Sequence, residues 1–491
     1  MKAHNYLAID LGAESGRTIL GTLSVGKLVL NETHRFANQP VRLPDALHWD
    51  ILRLWAEIKT GIAETVKDGT QLDSLGVDTW GVDFALLDKD GKLLANPTHY
   101  RDSRTDGMLD EAFALMPRNE IFAHTGIQFM QLNTLYQLLA MTKSESPLFE
   151  IAESFLTVPD LLNYWLSGKQ TNEFTNATTT QCFDPQTKAW SQTVLDAMGI
   201  PAHLFHPISE PGTVLGALQP QVAEETGADG VQVVVPACHD TGSAVVAVPA
   251  ENQDFAWLSS GTWSIMGVEV KEPALREKAL EYNFTNEGGV FGTWRLSKNI
   301  MGLWLAQECR RAWQAEGQDY SYDAITKLAA ESDPFIAVIN PDDDVFFHPG
   351  EMPQKIQSFC EKTGQRVPQS HGVILRVALE SLALKYRWVL ERLEELMGKE
   401  FAPIHIIGGG TQNRLLNQFT ANATGRTVVT GPIEATAIGN VLVQAIGMGH
   451  LANLAEAREV VWNSFNVEKY HPAERDGWDE AYQKLLALLE N

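Results

Sequence analysis

Only four cysteines occur in the 491 residues, and Cys182, Cys238, Cys309 and Cys360 lie far apart with no CxxC among them. That excludes a disulfide framework and a cysteine-held zinc, and predicts reduced, mostly buried thiols. No stretch approaches the ~20 consecutive apolar residues of a membrane span. The opening MKAHNYLAIDLG lacks the apolar core of a signal peptide, because His4, Asn5 and Asp10 interrupt it. A cytoplasmic chain without a membrane partner is expected. Basic residues are also scarce, with 38 Lys and Arg against 62 Asp and Glu for a net charge of −24, and no Lys/Arg block occurs. Nucleic acid and anionic membrane surfaces are therefore excluded as main partners. A small polyanion such as ATP is not, since backbone N–H groups, a helix N-terminus and a bridging Mg²⁺ can hold it locally. The P-loop pattern GxxxxGK[ST], solenoid repeats and low-complexity tracts are all absent.

What is present reads as an α/β chain. A content of 44% hydrophobic and 20% charged residues is ordinary for a folded protein, and the length calls for two large lobes or three smaller domains. The stretch AENQD (250–254) is the best boundary, dividing the chain into 1–250 and 251–491. Each half opens on the same plan. YLAIDLGAESGRTILGTL (6–23) and FAWLSSGTWSIMGVEV (255–270) are each an apolar strand, a turn of small residues and a second apolar strand. Such a turn suits either plain hairpin geometry or a backbone that closely approaches a ligand. Further strands are predicted around the polar turn of 72–88, and helices over 133–144, 159–168 and 372–398, the last as one long core helix. FAPIHIIGGGTQNRLLNQFTANATG (401–425) reads as a buried strand, three glycines, a polar turn and a helix.

Several of these segments place ionisable groups where chemistry can occur. In VPACHDTGSAVVAV (235–248), His239 and Asp240 fall between a buried strand and a small-residue helix. Asp240 is there either a helix N-cap or a carboxylate at the carboxyl end of a strand, where open α/β sheets bind ligands. In DLGAESGR, Asp10 ends a strand and the turn through Gly12, Ala13, Glu14, Ser15 and Gly16 can offer N–H groups to phosphate, with Arg17 as a phosphate contact or a surface cation. The turn at Gly261 and Thr262 offers similar donors, and Gly408, Gly409 and Gly410 either mark a tight turn or let a flat group lie on the backbone. Asp78 and Asp83 flank Trp80 and Gly81. As a carboxylate pair they could serve a glycosidase, but their apolar strand neighbours favour structural pairing or the binding of sugar hydroxyls. YRDSRT (100–105) and TNATTTQ (175–181) are surface loops or ligand-contacting loops.

Taken together and in order, AIDLGAESGR, GVDTWGVDFALLD, YRDSRT, GIQF with NTLYQL, TNATTTQ, HDTGSAV, LSSGTWSIMG, TNEGG, KNIMGLWL, IIGGGTQNRLLNQ and GPIEATAIGN resemble the FGGY carbohydrate kinases, essentially end to end. The resemblance implies a two-lobed actin-like ATPase fold, each lobe with a ribonuclease-H-like core and the active site in the cleft between them. It implies ATP as co-substrate with Mg²⁺, and within the family it is strongest to the branch that phosphorylates L-rhamnulose at its 1-hydroxyl in L-rhamnose catabolism. Another ketose, L-fuculose or L-xylulose, is the near alternative, and a sugar-independent actin-like ATPase or scaffold the distant one. By the same resemblance Ala13, Glu14, Ser15, Gly16 and Arg17 hold phosphate and Asp10 stands near the magnesium. Gly81, His239, Asp240, Thr241 and Asn299 contact the ketose. Thr262, Gln307, Gly409 and Gly410 hold the nucleotide. Asp240 accepts the proton of the attacking hydroxyl, kept ionised by the helix N-terminus behind it. A monomer or homodimer is expected.

Overall fold

The computed structural model describes residues 3–473 and 475–490. They separate into two compact units. The first gathers the residues up to Pro249 with Glu269–Leu296 and Glu434–Phe465, and the second comprises Ala250–Val268, Ser297–Ile433 and the residues from Asn466 onward. The first break falls at Pro249, and nothing in the composition marks the two later segments that return to the first unit.

The first unit is built on a sheet of strands β1 (His4–Leu11), β2 (Ser15–Ser24), β3 (Lys27–Ala37), β4 (Ser74–Thr79), β5 (Val214–Ala217) and β6 (Gln232–Val234), in the order β5-β6-β4-β1-β2-β3. β1 lies between antiparallel β2 and parallel β4. From Tyr6 onward it is buried throughout, which is why its sequence is an apolar run and not an alternation. Helix Ile51–Val66 covers one face of the sheet, capped by the Asp50 carboxylate, which accepts from Arg53 N at 3.2 Å. Ile51, Leu54, Ile58 and Ile62, at helical spacing, join Leu7, Ile9, Leu75 and Val77 in one core. Helix Ala435–Gly447 also packs on the sheet. Its Gln444 donates to Leu7 O at 3.1 Å and accepts from Ser74 at 2.8 Å. It lies so close to helix Asp240–Val246 that a methyl group on Gly439 would come within 1.7 Å of Ser243 O.

The second unit repeats the local plan. β7 (Ala256–Ser260) pairs antiparallel with β8 (Ser264–Val270) and parallel with β9 (Ile404–Ile407), which is followed by parallel β10 (Val428–Thr430) and antiparallel β11 (Glu468–Tyr470). The predicted long helix runs His371–Met397 over 27 residues, begins at the Ser370 cap and stops at Gly398, whose φ of +67° reverses the chain. Tyr386 on this helix bonds Ser264 at 2.7 Å, which fixes the hairpin to the helix. The helices predicted over 133–144 and 159–168 are Thr134–Lys143 and Val158–Ser167. All four cysteines are buried and unpaired. Among the described residues no helix is long and apolar enough to cross a membrane.

Gly439→Ala forces the two helices apart, and overpacking of this kind costs about 1–3 kcal/mol. Urea unfolding should show that loss; an unchanged midpoint would contradict the packing described.

Candidate active site

The first unit collects three carboxylates at the carboxyl ends of neighbouring parallel strands. Asp10 on β1 and Asp78 on β4 are register partners. Asp240 begins the helix that follows β6, where His239 bridges to Thr79 at the end of β4. Asp10 is cross-strand partner to Arg17, whose guanidinium donates to Asp10 Oδ2 at 2.7 and 3.0 Å and lies 2.5 Å from Glu434. Arg17 is thus held between two carboxylates, a pairing the phosphate-contact reading did not include. Asp78 is fully buried; Asn440 donates to its Oδ2 at 2.5 Å, and Oδ1 has no hydrogen-bond partner. Burial and the charge of Asp10 push its pKa well above the ordinary range.

Asp240 is the first helical residue and not the N-cap; that position belongs to His239, whose side chain makes no capping bond. The Asp240 carboxylate instead accepts from Thr241 N at 2.5 Å and Thr241 Oγ1 at 3.1 Å. It keeps 31% of its side chain exposed. Burial of its surroundings raises the Asp240 pKa above the ordinary carboxylate value, with Asp10 adding to the rise and His239 and the Thr241 bonds opposing it. His239 lies between Asp240 Oδ1, 3.5 Å from its Nε2, and Glu287 Oε2, 3.3 Å from its Nδ1. Arg295 donates to His239 Nδ1 at 3.0 Å and pairs with Glu287 at 3.1 Å. Burial alone would raise the Glu287 carboxyl, but Arg295 and His239 overcome it and bring it down to about 2. Glu287, on strand Thr285–Gly288, and Arg295, on strand Trp294–Ile300, come from the segment that returns to this unit. TNEGG carries Glu287, and the arginine set between Trp294 and Leu296 was the available signal of a buried ion pair.

The turn between β4 and strand Phe84–Leu87 is strained. Asp83 N bonds Gly81 O at 3.0 Å around Val82, whose φ is +70°, a γ-turn of the sense that costs L-residues most. The surroundings hold it there. Val82 N donates to Thr179 at 3.2 Å, and Thr134 donates to Val82 O at 2.5 Å. Asp83 accepts from the Trp49 and Trp80 indoles at 2.6 and 3.0 Å, from Gln137 at 3.0 Å and from Tyr100 N at 3.3 Å. Burial still pushes its pKa up to about 6. With these bonds Asp83 fixes an aromatic stack of Trp80, Trp49 and His99, with ring centroids 4.1 and 4.2 Å apart. Structural pairing, one of the two sequence readings, therefore accounts for Asp83.

Of the two polar segments read as surface or ligand loops, 175–181 is interior and YRDSRT is buried only at two positions, with Ser103 exposed. Asp102 and Thr105 are buried, and Arg104 reaches Gln137 at 2.6 Å. TNATTTQ forms the buried helix Phe174–Thr179, capped by Glu173. Glu173 also accepts from Cys238 N at 3.2 Å, and Thr175 accepts from His239 N at 3.1 Å, so this helix holds the turn that carries His239 and Asp240. Asn176 links that turn to the next by donating to Trp80 O at 3.4 Å and Cys238 O at 3.5 Å.

The glycines divide by what surrounds them. A methyl group at Gly16 would meet the Phe36 ring at 2.3 Å, and one at Gly410 would meet Ser260 Oγ at 2.0 Å; packing explains both. A methyl group at Gly261 would be 3.6 Å from its nearest neighbour, and Gly409 has nothing within 4 Å, so these two leave room for a ligand against the backbone. In the second unit Thr262 O accepts from Trp304 N at 3.1 Å in the hairpin turn, Asn299 lies on strand Trp294–Ile300, and Gln307 on helix Trp304–Ala315 keeps a buried Oε1 without a partner. Ala13, Glu14 and Ser15 belong to the first unit's hairpin, closed by Gly12 N to Ser15 O at 2.9 Å. Gly81, His239, Asp240 and Thr241 share that unit; Asn299 does not.

The sequence profiles of the FGGY family of carbohydrate kinases match residues 5–247 with the N-terminal domain and 256–448 with the C-terminal domain. The chain belongs to the FGGY family of carbohydrate kinases. It is 45% identical to a rhamnulokinase of Bacteroides thetaiotaomicron over 97% of this chain and 98% of that protein, and 39% identical to a rhamnulokinase of Bacillus subtilis over 96% of each. Its fold is shared with ligand-bound xylulose kinase from Lactobacillus acidophilus (TM-score 0.83, 15% identity, 99% of this chain and 98% of that one). It is shared too with Plasmodium falciparum glycerol kinase with ADP (TM-score 0.79, 14% identity, 99% and 98%). As an FGGY kinase it takes ATP as co-substrate and a small sugar as acceptor.

The buried acids of this kinase set a pH dependence of stability. Burial raises Asp83 and Asp160 to about 6 and Glu173 to about 8, above their unfolded values. Each binds its proton more tightly folded than unfolded, so the stability it adds is complete below about pH 4 and is lost as pH rises through about 6 and 8. Glu287 acts in the opposite sense, its share being lost only as pH falls toward about 2. Denaturant midpoints should therefore fall between about pH 5 and 8. Glu173→Gln should flatten that slope; a slope as steep as in the parent chain would contradict the assignment.

Proposed function

We propose that this FGGY kinase transfers the γ-phosphoryl group of ATP to the 1-hydroxyl of L-rhamnulose, giving L-rhamnulose 1-phosphate and ADP. The observation that carries the reading is identity of 39–45% to rhamnulokinases across nearly the whole chain. The site chemistry supports it. Phosphoryl transfer asks a protein chiefly for positioning and charge stabilisation, plus one group that takes the proton of the attacking hydroxyl. Asp240 is that base in this reading. It is accessible, its pKa is raised toward the working pH, and its carboxylate is fixed by Thr241. His239, Thr241 and Gly81 contact the ketose beside it, with Asn299 as a further contact. His239 is oriented by Glu287 and Arg295.

Ala13, Glu14, Ser15 and Gly16 offer the hairpin backbone to phosphate. Arg17 acts through Asp10 and Glu434 as much as on phosphate. Thr262, Gln307, Gly409 and Gly410 hold the nucleotide, a role that the partnerless Gln307 Oε1 and the open side of Gly409 favour. A magnesium ion fits Asp10, since the Asp10–Asp78–Asp240 cluster is short of positive charge and Asp78 Oδ1 is buried without a partner. When bound, that ion neutralises phosphate charge. ATP as co-substrate and four unpaired cysteines fit a cytoplasmic enzyme.

A coupled assay of ADP release across L-rhamnulose, L-fuculose, L-xylulose and several aldoses tests the reading, with ³¹P NMR locating the phosphate. The highest kcat/KM is expected on L-rhamnulose, with product phosphorylated at C1. Preference for another ketose would overturn the substrate, and ADP release indifferent to every sugar would overturn the kinase.

A further inference from the structure

At the end of the first unit's sheet opposite Asp10 and Asp78, three groups converge that the proposed reaction does not use. His4 opens β1, Asp73 directly precedes β4, and His450 follows helix Ala435–Gly447. Asp10 stands six residues farther along β1, about 20 Å away at ~3.3 Å per residue. The His4 and His450 rings stack with centroids 3.6 Å apart and planes 27° from parallel. His4 Nδ1 is 3.4 Å from Asp73 Oδ1, and one ligand atom from each of the three residues lies within 4.8 Å of the other two. All three are half-buried.

The cluster is poorly explained as an ion pair alone. The 3.4 Å separation exceeds the roughly 2.7–2.9 Å of a charge-assisted N–H···O bond. Asp73 is held by its other oxygen, which accepts from Asn5 N at 2.8 Å, so Oδ1 is aimed at the histidines by the backbone of β1. His450 Nδ1 lies 2.6 Å from the Tyr6 hydroxyl, the kind of bond that orients a metal-bound imidazole and sets which nitrogen faces the ion. Two imidazoles and one carboxylate form a borderline-soft donor set suited to Zn²⁺ and its neighbours, whereas Mg²⁺ prefers oxygen alone.

We propose that His4, Asp73 and His450 bind one divalent ion of the zinc class, with water in the remaining position. Tetrahedral zinc needs ligand atoms about 3.3 Å apart with each nitrogen lone pair aimed at the ion, so binding turns the two imidazoles out of their stack. The ion joins the start of β1 to the entry of β4 and to the turn after helix Ala435–Gly447, so it stabilises the first unit without touching the chemistry.

The test uses the full chain, stripped with EDTA and kept in excess MgCl₂ so that oxygen sites are occupied, and titrated with ZnCl₂ by calorimetry and thermal melting. One Zn²⁺ per chain and a raised Tm are expected. His4→Gln and His450→Gln should each weaken binding by about tenfold or more and remove the Tm rise, with kcat unchanged. On the parent chain alone, CoCl₂ should give the intense visible bands of tetrahedral cobalt. Absence of Zn²⁺ uptake, a Tm rise equal in both variants, or the weak spectrum of octahedral cobalt would each overturn the site.

Discussion

The first unit is organised around the burial of negative charge at one end of its sheet. Asp10, Asp78 and Asp240 stand at the ends of adjacent parallel strands, and taking even one carboxylate out of water costs several kcal/mol. Much of the surrounding sequence offsets that cost. Arg17 is delivered to Asp10 by hairpin register, Glu434 orders the same guanidinium, and Asn440 donates to Asp78. What these contacts leave unmet is the bare Asp78 Oδ1 and the raised pKa of Asp78 and Asp240.

A second layer keeps the reacting end rigid. Glu173 and Thr175 bind the backbone of Cys238 and His239, Asn176 spans from Cys238 to Trp80, and Asp83 fastens two indoles. The strained turn at Val82 persists because these neighbours over-determine it. His239 is further oriented by a buried Glu287–Arg295 pair, so the residue beside the proposed base Asp240 is itself held in place. This is the positioning that phosphoryl transfer requires.

The elements that local pattern determines were legible in the sequence. The two hairpins show as apolar runs around small-residue turns, the 27-residue helix shows by its spacing, and Asp240 lies within one residue of the expected strand-to-helix junction. What was not legible depends on contacts between distant segments. Thr175 looks like a loop polar until the turn at Cys238 and His239, which it braces with Glu173, is placed beside it. The positive φ of Val82 has no signature in a β-branched residue. Gly16 looks like a phosphate-turn glycine and Gly410 like a backbone surface for a flat group, yet Phe36 and Ser260 occupy the space a side chain would need. The return of 269–296 to the first unit, which brings Glu287 and Arg295 to His239, follows from topology and not from composition.

Asp240 as proton acceptor, and not merely as a helix-end acid, is the proposed role on which the reading of this site turns. The most direct measurement is steady-state kinetics of Asp240→Asn alongside its melting curve and ATP binding. A kcat lower by about 10²–10⁴-fold is expected, with Tm and ATP affinity close to those of the parent chain. A folded Asp240→Asn protein with near-normal kcat would contradict it.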